Sequence, residues 1–228
     1  MDKPKEINNA NSIESTKTIL NTINHSLIVL TLGYIIYLIN FTFSKINIHV
    51  LCCTIGYVLL MSESLMVLTN ENIWSRKITN YRNRSHFHWV LQALGAIISI
   101  SGVVIEYIGR NEKNKPHLSS IHSIVGFISI IIMCIMCLSG ATMFYTMKLK
   151  KLLRPVVIKF IHELLGITCF TLGMIAECYG FNKSWMRYKA GDYIAVLAII
   201  LVIIITSICI MRPIKSLLRN FFVVIRQN

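Results

Sequence analysis

The stretch His88-Trp89-Val90-Leu91-Gln92-Ala93-Leu94-Gly95-Ala96-Ile97-Ile98-Ser99-Ile100-Ser101-Gly102-Val103-Val104-Ile105 sets a histidine at the head of a run that meets no charged side chain until Glu106. About 20 predominantly apolar residues carry an α-helix across a bilayer, so this run reads as a membrane crossing near residues 87–108. The histidine is its unusual part, because an ionisable side chain at membrane depth is costly unless it has a task.

Working outward, five more apolar runs lie near 24–43, 46–68, 119–141, 157–178 and 191–211. The sequence therefore predicts an all-α fold, a six-helix transmembrane bundle. The 228 residues are 54% hydrophobic and 14% charged, with mean hydropathy +0.61, which excludes a water-soluble domain of this length. A net charge of +13 would suggest a polyanion partner in a soluble protein. Here the Lys and Arg fall in short segments between apolar runs, so they report topology and no nucleic-acid binding is expected.

Alternate loops decide the orientation. Sixteen basic residues share the side of the termini: Lys3, Lys5, Lys17, Arg76, Lys77, Arg82, Arg84, Lys148, Lys150, Lys151, Arg154, Lys159, Arg212, Lys215, Arg219 and Arg226. Seven share the other: Lys45, Arg110, Lys113, Lys115, Lys183, Arg187 and Lys189. The positive-inside rule then puts both termini in the cytosol. The organisation expected is a cytosolic tail at 1–23, the bundle at 24–211 and a basic cytosolic tail at 212–228. Residues 1–18 mix acids and bases and read as neither a signal peptide nor a transit sequence. Pro4, Pro116, Pro155 and Pro213 are expected in the tail or at helix margins.

Four of the seven histidines sit just inside successive crossings: His49, His88, His122 and His162. Consecutive helices run in opposite directions, so His49 and His122 fall near the non-cytosolic face and His88 and His162 near the cytosolic face. The pair separations are almost equal, 73 and 74 residues. Two stacked bis-imidazole haem sites require this arrangement, with one neutral ring nitrogen on each face of an iron and the other donating to a carbonyl or carboxylate. A core of about 30 Å leaves the two irons roughly 15–20 Å apart. With both axial positions filled, electron transfer is the natural task.

Other polar residues carry less. His86 stands about 200° round a helix from His88, so only one of them can face a haem. His25 has no matching partner and reads as interfacial. His117, in a non-cytosolic loop, could touch a substrate or stand solvated. Glu63 lies 14 residues after His49, about 40° from it on a helical wheel, and is expected near the cytosolic haem. Glu177 reads as an interface residue. Cys134 and Cys137 form a C-x-x-C with no second pair or histidine beside them, so they read as packing rather than as a zinc site.

Read together, His49-Val50-Leu51 with Met61-Ser62-Glu63-Ser64-Leu65, His88-Trp89-Val90-Leu91-Gln92, Ser119-Ser120-Ile121-His122-Ser123 and Phe160-Ile161-His162 resemble the cytochrome b-561 transmembrane reductases over nearly the whole chain. The short form and the His-Trp-Val-Leu-Gln run look most like the domain-containing protein 2 branch of that family. The resemblance implies that His49, His88, His122 and His162 are the axial ligands of two haems b. It implies electrons taken from cytosolic ascorbate and delivered to ferric iron, as a ferric chelate, or to the monodehydroascorbate radical on the far side. It also places Arg82 and Arg84 at the ascorbate site and Arg154 near the cytosolic haem, where a fork of donors suits an enolate anion. Two positions depart from the family pattern: Ser119 and Ser120 replace an aromatic residue, and Lys183 replaces an acid. The expected partners are ascorbate, the acceptor and bilayer lipid, with a homodimer left open. The expected location is an endomembrane such as the endoplasmic reticulum rather than the plasma membrane.

Two other readings compete. A non-catalytic transporter or channel subunit would use the histidines as proton relays or contacts, and Gly- or Pro-broken crossings would favour it. A single-haem anchor subunit would need only one histidine pair.

Overall fold

The computed structural model describes residues 3–69, 72, 74–77, 80–144 and 154–226. Among these residues, regular structure is helical throughout: α1 (Lys3–Ile39), α2 (Lys45–Cys53), the π-helical segment π1 (Thr54–Met61), α3 (Ser62–Met66), a 3₁₀ turn (Ser75–Lys77), α4 (Tyr81–Glu112), α5 (Ile121–Phe144), α6 (Pro155–Phe181), α7 (Ser184–Ala190) and α8 (Asp192–Arg226). The expected basic residues Lys148, Lys150 and Lys151 lie outside the described residues.

Among the described residues, five stretches are long and apolar enough to cross a membrane: Glu14–Ile39, Lys45–Met66, Arg82–Glu112, Pro155–Phe181 and Asp192–Arg226. The fourth expected crossing corresponds to α5, whose uncharged apolar stretch Ile121–Cys137 is shorter than the others.

The helices outrun the apolar runs because intrahelical hydrogen bonds keep the backbone satisfied in lipid and water alike. Residues 3–23 continue α1, and 212–226 continue α8. Pro213 lies inside α8 rather than at a margin. Local chemistry sets several ends. Asn40 and Phe41 both take positive φ, 47° and 54°, and turn the chain after α1. Ser44 then caps α2 by accepting from Asn47 N, Asn80 caps α4 by accepting from Arg82 N at 2.9 Å, and Pro155 opens α6. After α7, Gly191 at φ 80° ends the short helix.

Two helix pairs pack closely. The second crossing (α2, π1 and α3) lies against α4, and α5 lies against α6, while contacts between the two pairs are sparse. The first pair meets along small residues of α4: a Cβ on Gly95 would stand 3.1 Å from Gly56 O, and one on Gly102 would stand 2.6 Å from Cys52 Cβ. Such stripes let backbones approach closely in a membrane, where no hydrophobic drive separates helix from lipid. Outside the pairs, α8 packs on α6, and α1 packs on α8 and the second crossing. Ser216 Oγ and Asn220 Nδ2 of α8 donate to Glu163 at 2.7 and 2.6 Å. Between the pairs, Tyr57 Oη meets Ser129 Oγ at 2.8 Å, and its ring fills the space beside Gly173.

The glycine stripe sets a test. A Cβ at Gly56 would fall 1.9 Å from Ser99 Oγ and 2.9 Å from Gly95 O, whereas one at Gly33 meets nothing within 4 Å. Gly56→Ala should destabilise the protein by about 1–3 kcal/mol, seen as a lower unfolding midpoint in detergent. Gly33→Ala should hold or raise it, since Ala is the better helix former by up to about 1 kcal/mol. Equal midpoints for the two variants would rule out the close approach of these helices.

Candidate functional site

Each predicted histidine pair bridges the seam between the two close-packed helix pairs. His49 on α2 faces His122 on α5, with ring centroids 6.1 Å apart and planes at 84°. Metal–imidazole bonds of about 2 Å on either side of one ion put two ring centres about 6 Å apart, so the separation fits an ion held between them. His88 on α4 and His162 on α6 are electrostatic neighbours on the termini side.

Three of the four rings are aimed the same way. His49 Nδ1 donates to Gly102 O at 3.1 Å, His122 Nδ1 to Ala176 O at 2.9 Å and His88 Nδ1 to Ser64 O at 2.8 Å. A carbonyl can only accept, so Nδ1 carries the proton and Nε2 keeps a free lone pair. The acceptors are Gly, Ala and Ser: at Gly102 and Ala176 a small side chain lets a ring reach the second lone pair of a carbonyl inside a long helix, and Ser64 offers a carbonyl near the end of α3. Gly180 adds room beside His122, where a Cβ would stand 3.2 Å from Cε1.

The acceptors also fix the layering. On α4, Gly102 follows His88 by 14 residues; on α6, Ala176 follows His162 by 14; on the second crossing, Ser64 follows His49 by 15. Each helix thus carries a ring for one layer and a carbonyl for the other, about 20 Å apart along its axis. The corresponding position on α5 is Met136, whose carbonyl accepts from Ser139 Oγ at 3.3 Å. His162 Nδ1 is buried with no hydrogen-bond partner among the described residues.

The remaining candidates divide. Arg82 and Arg84 occupy the first turn of α4, and Arg154 immediately precedes α6. All three stand at the termini-side ends of the helices bearing His88 and His162. Arg82 and Arg154 are exposed, but Arg84 is buried and gives Nη1 to Thr69 O at 3.3 Å. His117, on the opposite side, stacks on Tyr107 at 4.3 Å and pairs Nε2 with Asn111 Oδ1 at 2.7 Å. Arg110 holds the same loop through Pro116 O at 3.1 Å. Ser120 caps α5 through Ser123.

Two readings of polar residues need correction. Glu177 is buried rather than an interface residue, because α6 turns it into the bundle. His25, which has no matching histidine, contacts Glu63 instead. Glu63 faces α1 rather than following the direction of His49, because π1 turns through a smaller angle per residue than an α-helix and shifts the phase. Cys134 and Cys137 are both exposed on α5. Sequence reasoning missed the three acceptor carbonyls, although their 14- to 15-residue offsets from the histidines were a findable signal.

Comparison with known proteins agrees with this geometry. The family model described as eukaryotic cytochrome b561 matches residues 48–187, which include all four histidines. Transmembrane reductase CYB561D2 of Bos taurus is 24% identical over 169 residues, 74% of each chain, and the Homo sapiens protein of that name is 24% identical over 172. The probable ascorbate-specific transmembrane electron transporter 1 of Oryza sativa subsp. japonica is 26% identical over 138 residues, 60% of this chain and 56% of the relative. The resemblance seen in the histidine motifs is thereby confirmed, and with a seam that fits haem and helices that fit a bilayer, the chain belongs to the eukaryotic cytochrome b561 family and is an oxidoreductase of transmembrane electron transfer.

Proposed function

We propose that the chain carries electrons from cytosolic ascorbate across the bilayer, through two haems b, to monodehydroascorbate or ferric iron on the other side. The observation that carries this reading is the His49/His122 pair, two rings 6.1 Å apart across a helix seam, with both Nδ1 atoms tied to carbonyls. His49 and His122 would hold one haem, and His88 and His162 the other. When bound, the haems supply a one-electron iron couple in each half of the membrane. In this reading α5, 24 residues and so about 36 Å long, would serve as a sixth crossing, which would put both termini on the cytosolic side.

The protein's own contribution is orientation, charge and exclusion of water. Carbonyl capture of Nδ1–H holds the His49, His88 and His122 imidazoles correctly turned before metal binds, which avoids reorganisation when charge changes. Arg82 and Arg154 offer a cationic collar to an anionic enediolate, steering it toward the cytosolic end of the seam. Arg84, bonded to Thr69 O, supports that collar from beneath. His117, stacked on Tyr107, marks the acceptor face.

Three outcomes test the reading. His49→Ala or His122→Ala should lower bound haem from two to one per chain and remove the far-side component of the reduced-minus-oxidised spectrum. His88→Ala or His162→Ala should remove the other component, and loss of the wrong component would reverse the layering. Arg82→Gln should slow reduction by ascorbate on the order of tenfold at low ionic strength, with both haems retained; unchanged kinetics would move the donor site. Vesicles loaded with ascorbate on the termini side should reduce an impermeant ferric chelate outside and build a potential unless a counter-ion path is supplied. Undiminished reduction by a His88→Ala, His162→Ala double variant would exclude a two-haem relay.

A further inference from the structure

On the termini side, four side chains from three parts of the chain close on one another. His25 of α1 sets Nδ1 2.5 Å from Glu63 Oε1 and Nε2 3.3 Å from Asn72 Oδ1. The other carboxylate oxygen accepts from Trp74 Nε1 at 2.9 Å, and Asn72 Oδ1 also accepts from Trp74 N at 3.2 Å. The pair is largely shielded, with 19% of the His25 side chain and 13% of Glu63 exposed. Asn72 Nδ2 is buried and has no hydrogen-bond partner among the described residues, which leaves donor capacity of the kind an internal water takes up.

A carboxylate and an imidazole at this distance can hold one proton between them. With their shared proton the unit is neutral overall; without it, the unit carries one negative charge. Glu63 is also joined covalently to Ser64, whose carbonyl fixes His88 at 2.8 Å. Charge on the pair therefore stands close to charge at the His88/His162 layer, in a medium that screens it weakly.

Other charged or titratable groups reach the same segment of chain, residues 63–69, from the helices packed against it. Arg84 and His88 approach from α4, the former bonded to Thr69 O. Arg212 and Cys209 approach from α8, donating to Leu68 O and accepting from Asn24 Nδ2 respectively. Among the described residues, the imidazole in contact with the carboxylate is that of His25.

We propose that His25 and Glu63 form a proton-binding site coupled to the redox state of the His88/His162 centre. The pair gains one proton from cytosolic water when that centre gains one electron from an enediolate donor, and it releases the proton when the electron moves on. No other bond is made or broken, and the net charge of this end of the bundle is the same before and after. The inference rests on the assignment of a haem to His88 and His162.

Equilibrium redox titration of the purified, haem-loaded full chain over about pH 5 to 8 tests it. Proton uptake on reduction makes the near-side midpoint potential fall as pH rises. Glu63→Gln and His25→Gln should each lose more than half of that slope, Glu63→Asp should keep it, and the His49/His122 centre should keep its own slope in all three. A pair that only clamps α1 to the second crossing would lower stability and leave the slope intact. The full wild-type slope in Glu63→Gln with both haems bound overturns the proposal. So does a flat wild-type response, which needs no variant to fold. If Glu63→Gln fails to load haem, His25→Gln decides between the same two outcomes. A chain that binds no haem at His88/His162 removes the functional reading and this proposal together, whereas a redox-active centre without pH dependence removes the proposal alone.

Discussion

A ring N–H buried inside a membrane bundle is costly without an acceptor, and three of the four paired histidines find theirs in a backbone carbonyl of a neighbouring helix. That constraint organises this molecule. At Gly102 and Ala176 a small side chain exposes a helical carbonyl's second lone pair to an incoming imidazole, and Ser64 presents a carbonyl near the end of α3. Each of these bonds ties a ring on one helix to the backbone of another. His49 and His88 link the second crossing and α4 in both directions, and His122 links α5 to α6. The bonds that aim the rings are thus also bonds that register the helices.

The same constraint explains the division of the bundle into two close pairs. Carbonyl capture works within a pair, where the helices touch. The free Nε2 edges then have only one direction left, toward the seam. The 6.1 Å separation of His49 and His122 is set by helix pairs that meet closely internally and sparsely with each other. Tyr57, bonded to Ser129 and seated against Gly173, spans the seam between the two layers.

The π segment of the second crossing is the largest departure from regular geometry. An α-helix carried straight through residues 54–61 would bring Glu63 nearly over His49. The wider turn instead sends Glu63 to α1 and leaves Ser64 O for His88. One local change of helix type therefore separates an acid from the seam while supplying the carbonyl that orients a ring. π segments recur at functional sites, and after this one two adjacent residues meet different histidines, Glu63 that of α1 and Ser64 that of α4.

Much of this was legible in the sequence. Apolar run length located five of the six expected crossings as helices long and apolar enough to span among the described residues, because a bilayer core imposes one length on every helix that spans it. The alternation of helix direction sorted four histidines into two layers, and their motifs identified the family. Helix ends were less legible, since α1 and α8 continue into polar sequence where hydropathy no longer reports helix. The facing of Glu63, the burial of Glu177, the partner of His25 and the tie on Arg84 needed the tertiary structure. A helical wheel assumes one angle per residue and no neighbours, whereas π1 changes that angle and adjoining helices decide which polar atoms meet. Sequence alone sorted His49 with His122 and His88 with His162, because helix direction alternates from one crossing to the next; only packing decided which carbonyl turns the rings of His49, His88 and His122 and which imidazole meets Glu63.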